Sequence, residues 1–594
     1  MAARRRIPRA LAVLALGSVG FPLIGATVRG TPAGATATRA GFTRAAGATA
    51  PAARVSFVVN TKSVTGAISP LIYGLNADDT PGSDFSSIVA ETRPGLIRLG
   101  GNRWTAYNWE SNASNAGSDY NYENDDYLTP SKKPGAAVEP TVQAAKAAGA
   151  AALVTIPIVG YVAGDESGGD VFNYPNFLKT KFKMNRPTDP AKLTTTPVLS
   201  DDFVYQNQFV YWLKKAVPGA DVLFSLDNEP DLWDSTHREV HPKPVTYAEL
   251  LSRDLEYAKA IKKVWPTALV TGPVSYGWEG YETLQNAPDS AKDGNFLAWY
   301  LRQVKAADTK AGMRLVNDLD LHWYPEATGG GVRIVGTETT PAVIAAREQA
   351  PRSLWDPSYV EDSWITADTL NGKGIDLIPR IKGQIAKDDP GTALDFSEWN
   401  YGGGQSISGG IATADVLGIF GRYGVHAAAL WPLNTDNSFA YGAFAVYRNY
   451  NGHGAAFGDT ELKATTSAPA ETSVYGSIER AHPGHVVIVV INKHLQADPA
   501  TLRILGGPKF TRAAVYTLTS AGSTPRPAAG LRASGVDSFS YTMPAQSVSV
   551  IVPAVVVAPA TRNGDSTGSH SPRRSAPRVP APGQGFRRAA RADR

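Results

Sequence analysis

Two rhythms of apolar and polar residues divide this chain. Between residues 71 and 433, short runs of consecutive apolar residues recur, each followed by a longer stretch with helical periodicity. The runs predict eight buried strands, at 71–76, 95–101, 151–157, 221–229, 268–274, 319–325, 393–398 and 426–433. The stretches between them predict helices, most clearly at 246–265. There Thr246 and Glu249 form a capping box. Tyr247, Leu251, Leu255, Ala258, Ile261 and Trp265 keep to one face, and Pro266 stops the helix. Strand followed by helix, eight times over, predicts an α/β fold with a parallel (β/α)8 barrel.

After about residue 461 the rhythm becomes strand and turn only. Runs at 474–479, 486–491, 513–518 and 547–552 predict a small antiparallel β-domain. An alternating strand around Phe57 is expected to join it. The expected division is 1–53 signal and linker, 54–66 joining strand, 67–461 barrel, 462–558 β-domain and 559–594 basic tail.

Charge changes the picture at the ends. Residues 1–54 hold eight arginines and no acid, and residues 559–594 hold eight arginines against Asp565 and Asp593. The ends together carry +14 in a chain of net charge +4, so the body is at −10. An acidic body is not expected to bind nucleic acid. Arg4, Arg5, Arg6 and Arg9 precede an apolar run from 10 to 21, as in a secretory signal. Pro22 breaks that run, so no membrane span is expected in the mature form. A secreted, extracellular monomer follows as the expectation. The tail has almost nothing apolar to bury and is expected to stay disordered. There are no cysteines, which excludes disulfides and thiolate chemistry.

The strand ends carry the candidate chemistry. The run 221–229 starts apolar and then delivers Asp227, Asn228 and Glu229 before Pro230. The run 393–398 ends in Glu398. In a parallel barrel, active sites sit where the strands end. Two carboxyls on two strand ends suit glycosidic cleavage, which needs one acid and one nucleophile. Arg98 at the end of the second strand is placed to keep a neighbouring carboxylate ionised. Asn102, Asn228, His322 and Tyr324 are candidates for contacts with sugar. Trp104, Trp109, Trp233, Trp278, Trp323, Trp399 and Trp431 all fall at or just beyond strand ends. Any one of them is more simply a core residue; together they suggest a carbohydrate groove.

Other constellations are weaker. His237 and His241 have the spacing of a helical metal pair, but Pro242 and Pro244 follow, which favours a loop-shaping role. The acidic loop Asp119, Glu123, Asp125, Asp126 lacks the glycine of a calcium loop and reads more simply as solvated.

Longer motifs resemble one family. Ser225-Leu-Asp-Asn-Glu-Pro-Asp-Leu-Trp-Asp-Ser-Thr-His237, the stretch from Gly100 to Asp119 and Leu319-Asp-Leu-His-Trp-Tyr-Pro-Glu326 closely resemble glycoside hydrolase family 44, over roughly residues 55–555. The resemblance implies a secreted, retaining endo-β-1,4-glucanase, active on cellulose-type glucan or xyloglucan, built from a (β/α)8 barrel and a β-sandwich. It implies Glu229 as acid/base and Glu398 as nucleophile, no cofactor for the chemistry and a structural calcium without assignable ligands. The sequence Ser-Glu-Trp-Asn-Tyr-Gly around Glu398 differs from the family's Thr-Glu-Tyr-Asn-Phe-Gly. The alternatives are another barrel glycosidase, a xylanase or mannanase, or a carbohydrate-binding protein that has lost catalysis.

Overall fold

The computed structural model describes residues 55–77, 83–432 and 435–554. The expected signal and linker, and the basic tail, lie outside the described residues. After an N-terminal strand, β1 (Val55–Ala67), come eight strands: β2 (Gly74–Ala77), β3 (Leu96–Leu99), β4 (Ala151–Ile156), β5 (Val222–Leu226), β6 (Leu269–Ser275), β7 (Asp318–Trp323), β8 (Ala393–Trp399) and β9 (Ala427–Leu430). They pair in sequence order, every pair parallel, and β9 returns to β2 to close a barrel. Each forms where an apolar run was read, because strands covered on both faces need continuous apolar sequence.

Helix α1 (Tyr247–Val264) shows how the helices seat. The Thr246 hydroxyl accepts the Glu249 N–H at 3.1 Å, as the capping box requires. Its deepest face is rotated from the apolar stripe. Leu251 and Leu255 are only half-buried, whereas Asp254 is fully buried and takes a 2.7 Å hydrogen bond from Tyr300. A polar residue sits inside because a tyrosine hydroxyl from the helix Phe296–Ala311 meets it.

The second rhythm folds as a nine-stranded β-sandwich domain whose ladder closes on itself. Strand β1 belongs to it, antiparallel to β10 (Thr460–Thr466) on one side and parallel to the strand at Asp498–Leu505 on the other. Four strands were not expected from the sequence: β10 and those at Asp498–Leu505, Gly522–Gly535 and Ser538–Met543. The Gly522–Gly535 strand is largely exposed and reads as a proline-containing loop, so it carries little apolar signal.

One hydrophobic cluster runs from the barrel to one face of the sandwich, and the sandwich interior forms a second cluster of its own. Helix α2 (Ile407–Arg422) is buried along almost its whole length and packs on the sandwich. Gly418 allows this approach, since a Cβ there would meet the Tyr475 ring at 2.4 Å. Asp415 and Lys493 form a buried ion pair across the junction at 2.7 Å.

Candidate active site

The end of β5 is shaped by its own carboxylate. Asp227 Oδ2 accepts the backbone N–H groups of Ile158 (2.5 Å) and Val159 (3.1 Å), and Oδ1 accepts the Asn228 N–H at 2.9 Å. Trp233 Nε1 donates to the same oxygen at 3.3 Å. Asp227 and Glu229 both take left-handed backbone angles, with φ of 67° and 46°. Such conformations cost a non-glycine residue of order 1–3 kcal/mol and gather at functional sites. The Glu229 N–H is tied to Val274 O on the neighbouring β6 at 3.1 Å.

A register shift builds the other half. Strands β7 and β8 pair Leu321 with Phe396, and then His322 with Glu398, so Ser397 is the extra residue of a bulge. The slip sets Glu398 beside His322. His322 Nδ1 lies 2.9 Å from Glu229 Oε1 and 3.5 Å from Glu398 Oε2. One oxygen each of Glu229 and Glu398 and a ring nitrogen of His322 lie within 4.8 Å of one another.

Glu398 is clamped. Arg98 Nη1 donates to its Oε1 at 2.7 Å and the Tyr324 hydroxyl donates to Oε2 at 2.8 Å. Burial alone pushes the Glu398 carboxyl up, but the His322 imidazole and the Arg98 guanidinium outweigh it and hold Glu398 below its ordinary range. Burial likewise opposes charge on His322, while the carboxylates of Glu398 and Glu229 raise it above its ordinary value. Two residues past Glu229, burial pushes the Asp231 carboxyl up to about 7, although the Ser275 hydroxyl and Tyr276 N–H bond it.

Asn76 is the member of this network that the sequence did not reveal. Its Oδ1 accepts from Arg98 Nη1 at 2.9 Å, and its Nδ2 donates to Ser397 O and Ala429 O. It holds Arg98 against β8 and β9. An asparagine at the end of an apolar strand was the available signal.

Residues 113–327 match the family model of glycoside hydrolase family 44. Endoglucanase A of Paenibacillus lautus is 40% identical over 527 residues, which span 85% of this chain and 73% of that protein. The chain belongs to glycoside hydrolase family 44. It is therefore a glycoside hydrolase. A family 44 xyloglucanase structure from Paenibacillus polymyxa superposes with a TM-score of 0.79 at 36% identity, covering 84% of this chain and 99% of that one. A family 44 endoglucanase from Clostridium thermocellum gives 0.78 at 35% identity, covering 84% and 100%.

Several expected sugar contacts in this family 44 chain prove otherwise. Trp104, Trp233, Trp323 and Trp399 are at most 1% exposed, and Trp109 and Trp278 are buried with them. They are core: Trp399 stacks on Phe444 and meets Phe420 edge-on. Helices supply ring partners for two of them: Trp109 lies against Phe209 and Trp212, and Trp399 against Phe420 and Phe444. Arg98 and His322 are fully buried: Arg98 bonds Glu398, Asn76 and Asn228, and His322 Nδ1 faces Glu229. Asn102 donates to Ala116 O, and its carbonyl receives His237 Nε2, so it braces the loop.

Three candidates keep a free face or group. Trp431 is half-buried, its ring lying over Gly101, where φ is 100° and a Cβ would meet the indole at 2.6 Å. Tyr324 is half-buried. Asn228 accepts from Arg98 and the Gly101 N–H through Oδ1, and its Nδ2 has no partner among the described residues.

His237 and His241 do not converge. His237 bonds Glu239 and Asn102 O, and His241 bonds Glu249. Among the described residues no three carboxylates of the acidic loop converge: Asp125 bonds Arg103 at 2.6 Å and Glu123 takes the Gly169 N–H. Among the described residues no helix is long and apolar enough to cross a membrane.

Proposed function

We propose that this family 44 hydrolase cleaves β-1,4-glucan backbones by double displacement, with Glu398 as nucleophile and Glu229 as acid/base. The observation that carries the reading is the approach of the two glutamates to within 4.8 Å, oxygen to oxygen. Retaining sites hold their carboxyls about 5–5.5 Å apart, whereas inverting sites need roughly 6.5–9.5 Å for a water.

The roles follow from the surroundings. Glu398, between Arg98, Tyr324 and His322, is kept ionised and attacks the anomeric carbon. Among the described residues the Glu229 carboxyl hydrogen-bonds His322 alone, and it has more exposure, 22% of its side chain, which suits proton exchange with leaving group and water. Attack neutralises Glu398 as an ester, and Glu229 then takes a proton from water. Asn228 Nδ2 is placed for a sugar hydroxyl, and Trp431 offers an apolar face to a ring. The two carboxyls supply the chemistry without a cofactor. The relative from Paenibacillus polymyxa is a xyloglucanase, and we include xyloglucan among the substrates of this chain. Secretion as a monomer completes the reading.

Azide rescue tests the assignment. Glu229→Ala with an activated aryl glycoside and azide is expected to give a β-glycosyl azide; Glu398→Ala is expected to give the α-product. Products of opposite configuration would reverse the roles. Full activity in both variants would leave only a binding role for the site. Reducing-end assays on xyloglucan, carboxymethylcellulose, xylan and glucomannan separate glucanase from xylanase or mannanase.

A further inference from the structure

A second cluster sits at the opposite end of the barrel. Asp318 opens β7, Asp395 is the third residue of β8, and His426 immediately precedes β9. Adjacent parallel strands bring the three together at the N-terminal pole. His426 Nδ1 lies 3.1 Å from Asp318 Oδ2 and 3.3 Å from Asp395 Oδ1. Asp318 and Asp395 are buried, at 4% and 1% exposure, while the imidazole keeps 29% of its surface in solvent.

The hydrogen bonding is incomplete. Asp395 Oδ1 accepts the Ala427 N–H at 2.9 Å. Among the described residues Asp395 Oδ2 has no hydrogen-bond partner, and Asp318 Oδ2 has the charge of the His426 ring beside it but no hydrogen bond of good geometry. One imidazole N–H points along one line, yet two carboxylates face it. The Asp318 oxygen nearest the ring nitrogen is thus aimed into the cluster without a directed donor. Buried carboxylate oxygens are rarely left so. Lys262 does not fill the gap, because its Nζ is committed to Ala268 O and Asn317 Oδ1.

We propose that Asp318, Asp395 and His426 bind one divalent first-row transition metal of the Zn2+ type, which clamps three neighbouring barrel strands. Two carboxylates and an imidazole are a donor set for such ions, whereas Ca2+ and Mg2+ want shells of oxygen alone. Tetrahedral bonds of about 2.0–2.2 Å set ligand atoms roughly 3.3 Å apart. The two nitrogen–oxygen separations already meet that spacing, and all three ligand atoms lie within 4.8 Å of one another. The metal takes the place of the Nδ1 proton and faces both carboxylates at once. The exposed imidazole edge gives the ion its entry and leaves a position for water.

The glutamate pair with His322 is a rival ion sink, so the test must separate the two ends. The full chain is stripped with chelator and titrated with ZnCl2 while Tm is followed. Crystals soaked in ZnCl2 are measured at the zinc absorption edge. An anomalous peak between Asp318, Asp395 and His426 is expected, with a rise of several degrees in Tm that saturates at one ion per chain. The rise should persist in Glu398→Gln and vanish in His426→Gln. Density only between the glutamates, density at neither place, or a rise that survives His426→Gln overturns the proposal. If His426→Gln does not fold, the anomalous map of the unsubstituted chain decides alone.

Discussion

Arg98 Nη1 lies 2.7 Å from Glu398 Oε1, with the guanidinium fully buried and the partner almost so. A buried pair of this kind fixes the charge of the carboxylate rather than adding stability. Arg98→Met removes one of the two cations that hold Glu398 down. The Glu398 pKa then rises, and since attack needs the ionised form, the acid limb of kcat/KM moves to higher pH. Turnover near neutrality should fall by ~100-fold or more, the scale of losing one strong electrostatic contact in a site. A pH–rate profile reads both effects.

Asn76 makes no hydrogen bond to Glu229 or Glu398, yet it anchors Arg98 to two strands. Asn76→Ala should lower kcat by about 10-fold while KM changes little, since the substrate does not touch it. Restoring much of the rate with Asn76→Asp would point to the accepting oxygen as the part that matters.

Trp399 and Trp431 separate packing from binding. Trp399→Ala opens a cavity in a filled aromatic core and should cost ~3–5 kcal/mol of stability, read as a lower denaturation midpoint. Trp431→Ala should leave stability nearly unchanged and raise KM on polysaccharide by about 10-fold. Equal effects on stability would contradict this division.

Glu461, at the junction of barrel and sandwich, is pushed up by burial from 4.5 to about 8, the Arg422 guanidinium offsetting this only in part. The folded chain therefore holds a proton that the unfolded chain releases near pH 4.5. The stability this contributes is complete below that pH and is lost as pH rises toward 8. Glu461→Gln should match the parent at pH 4.5 and become more stable than it by at most about 1.4 kcal/mol per pH unit up to pH 8. Denaturant titrations across this range check the sign.

The eight barrel strands were legible because each must be apolar on both faces, and Glu229 and Glu398 stood out as polar ends on such runs. The tryptophans misled for a physical reason: residues at and just beyond a strand end can pack on the surrounding helices, as Trp109 and Trp399 do, so flat rings there serve the core as readily as a groove. Sequence spacing alone cannot separate the two. Neither Asn76 nor the bulge that sets Glu398 beside His322 leaves a periodic trace, and the exposed strand at Gly522–Gly535 reads as a loop.

Glu229 and Glu398 approach each other more closely than the carboxyls of an inverting site, which stand roughly 6.5–9.5 Å apart. The most direct test is proton NMR of the first products released from a β-1,4-glucan, before mutarotation equilibrates them. The anomeric signal should appear first as the β-form. Initial release of the α-anomer would contradict the double displacement and the roles given to both glutamates.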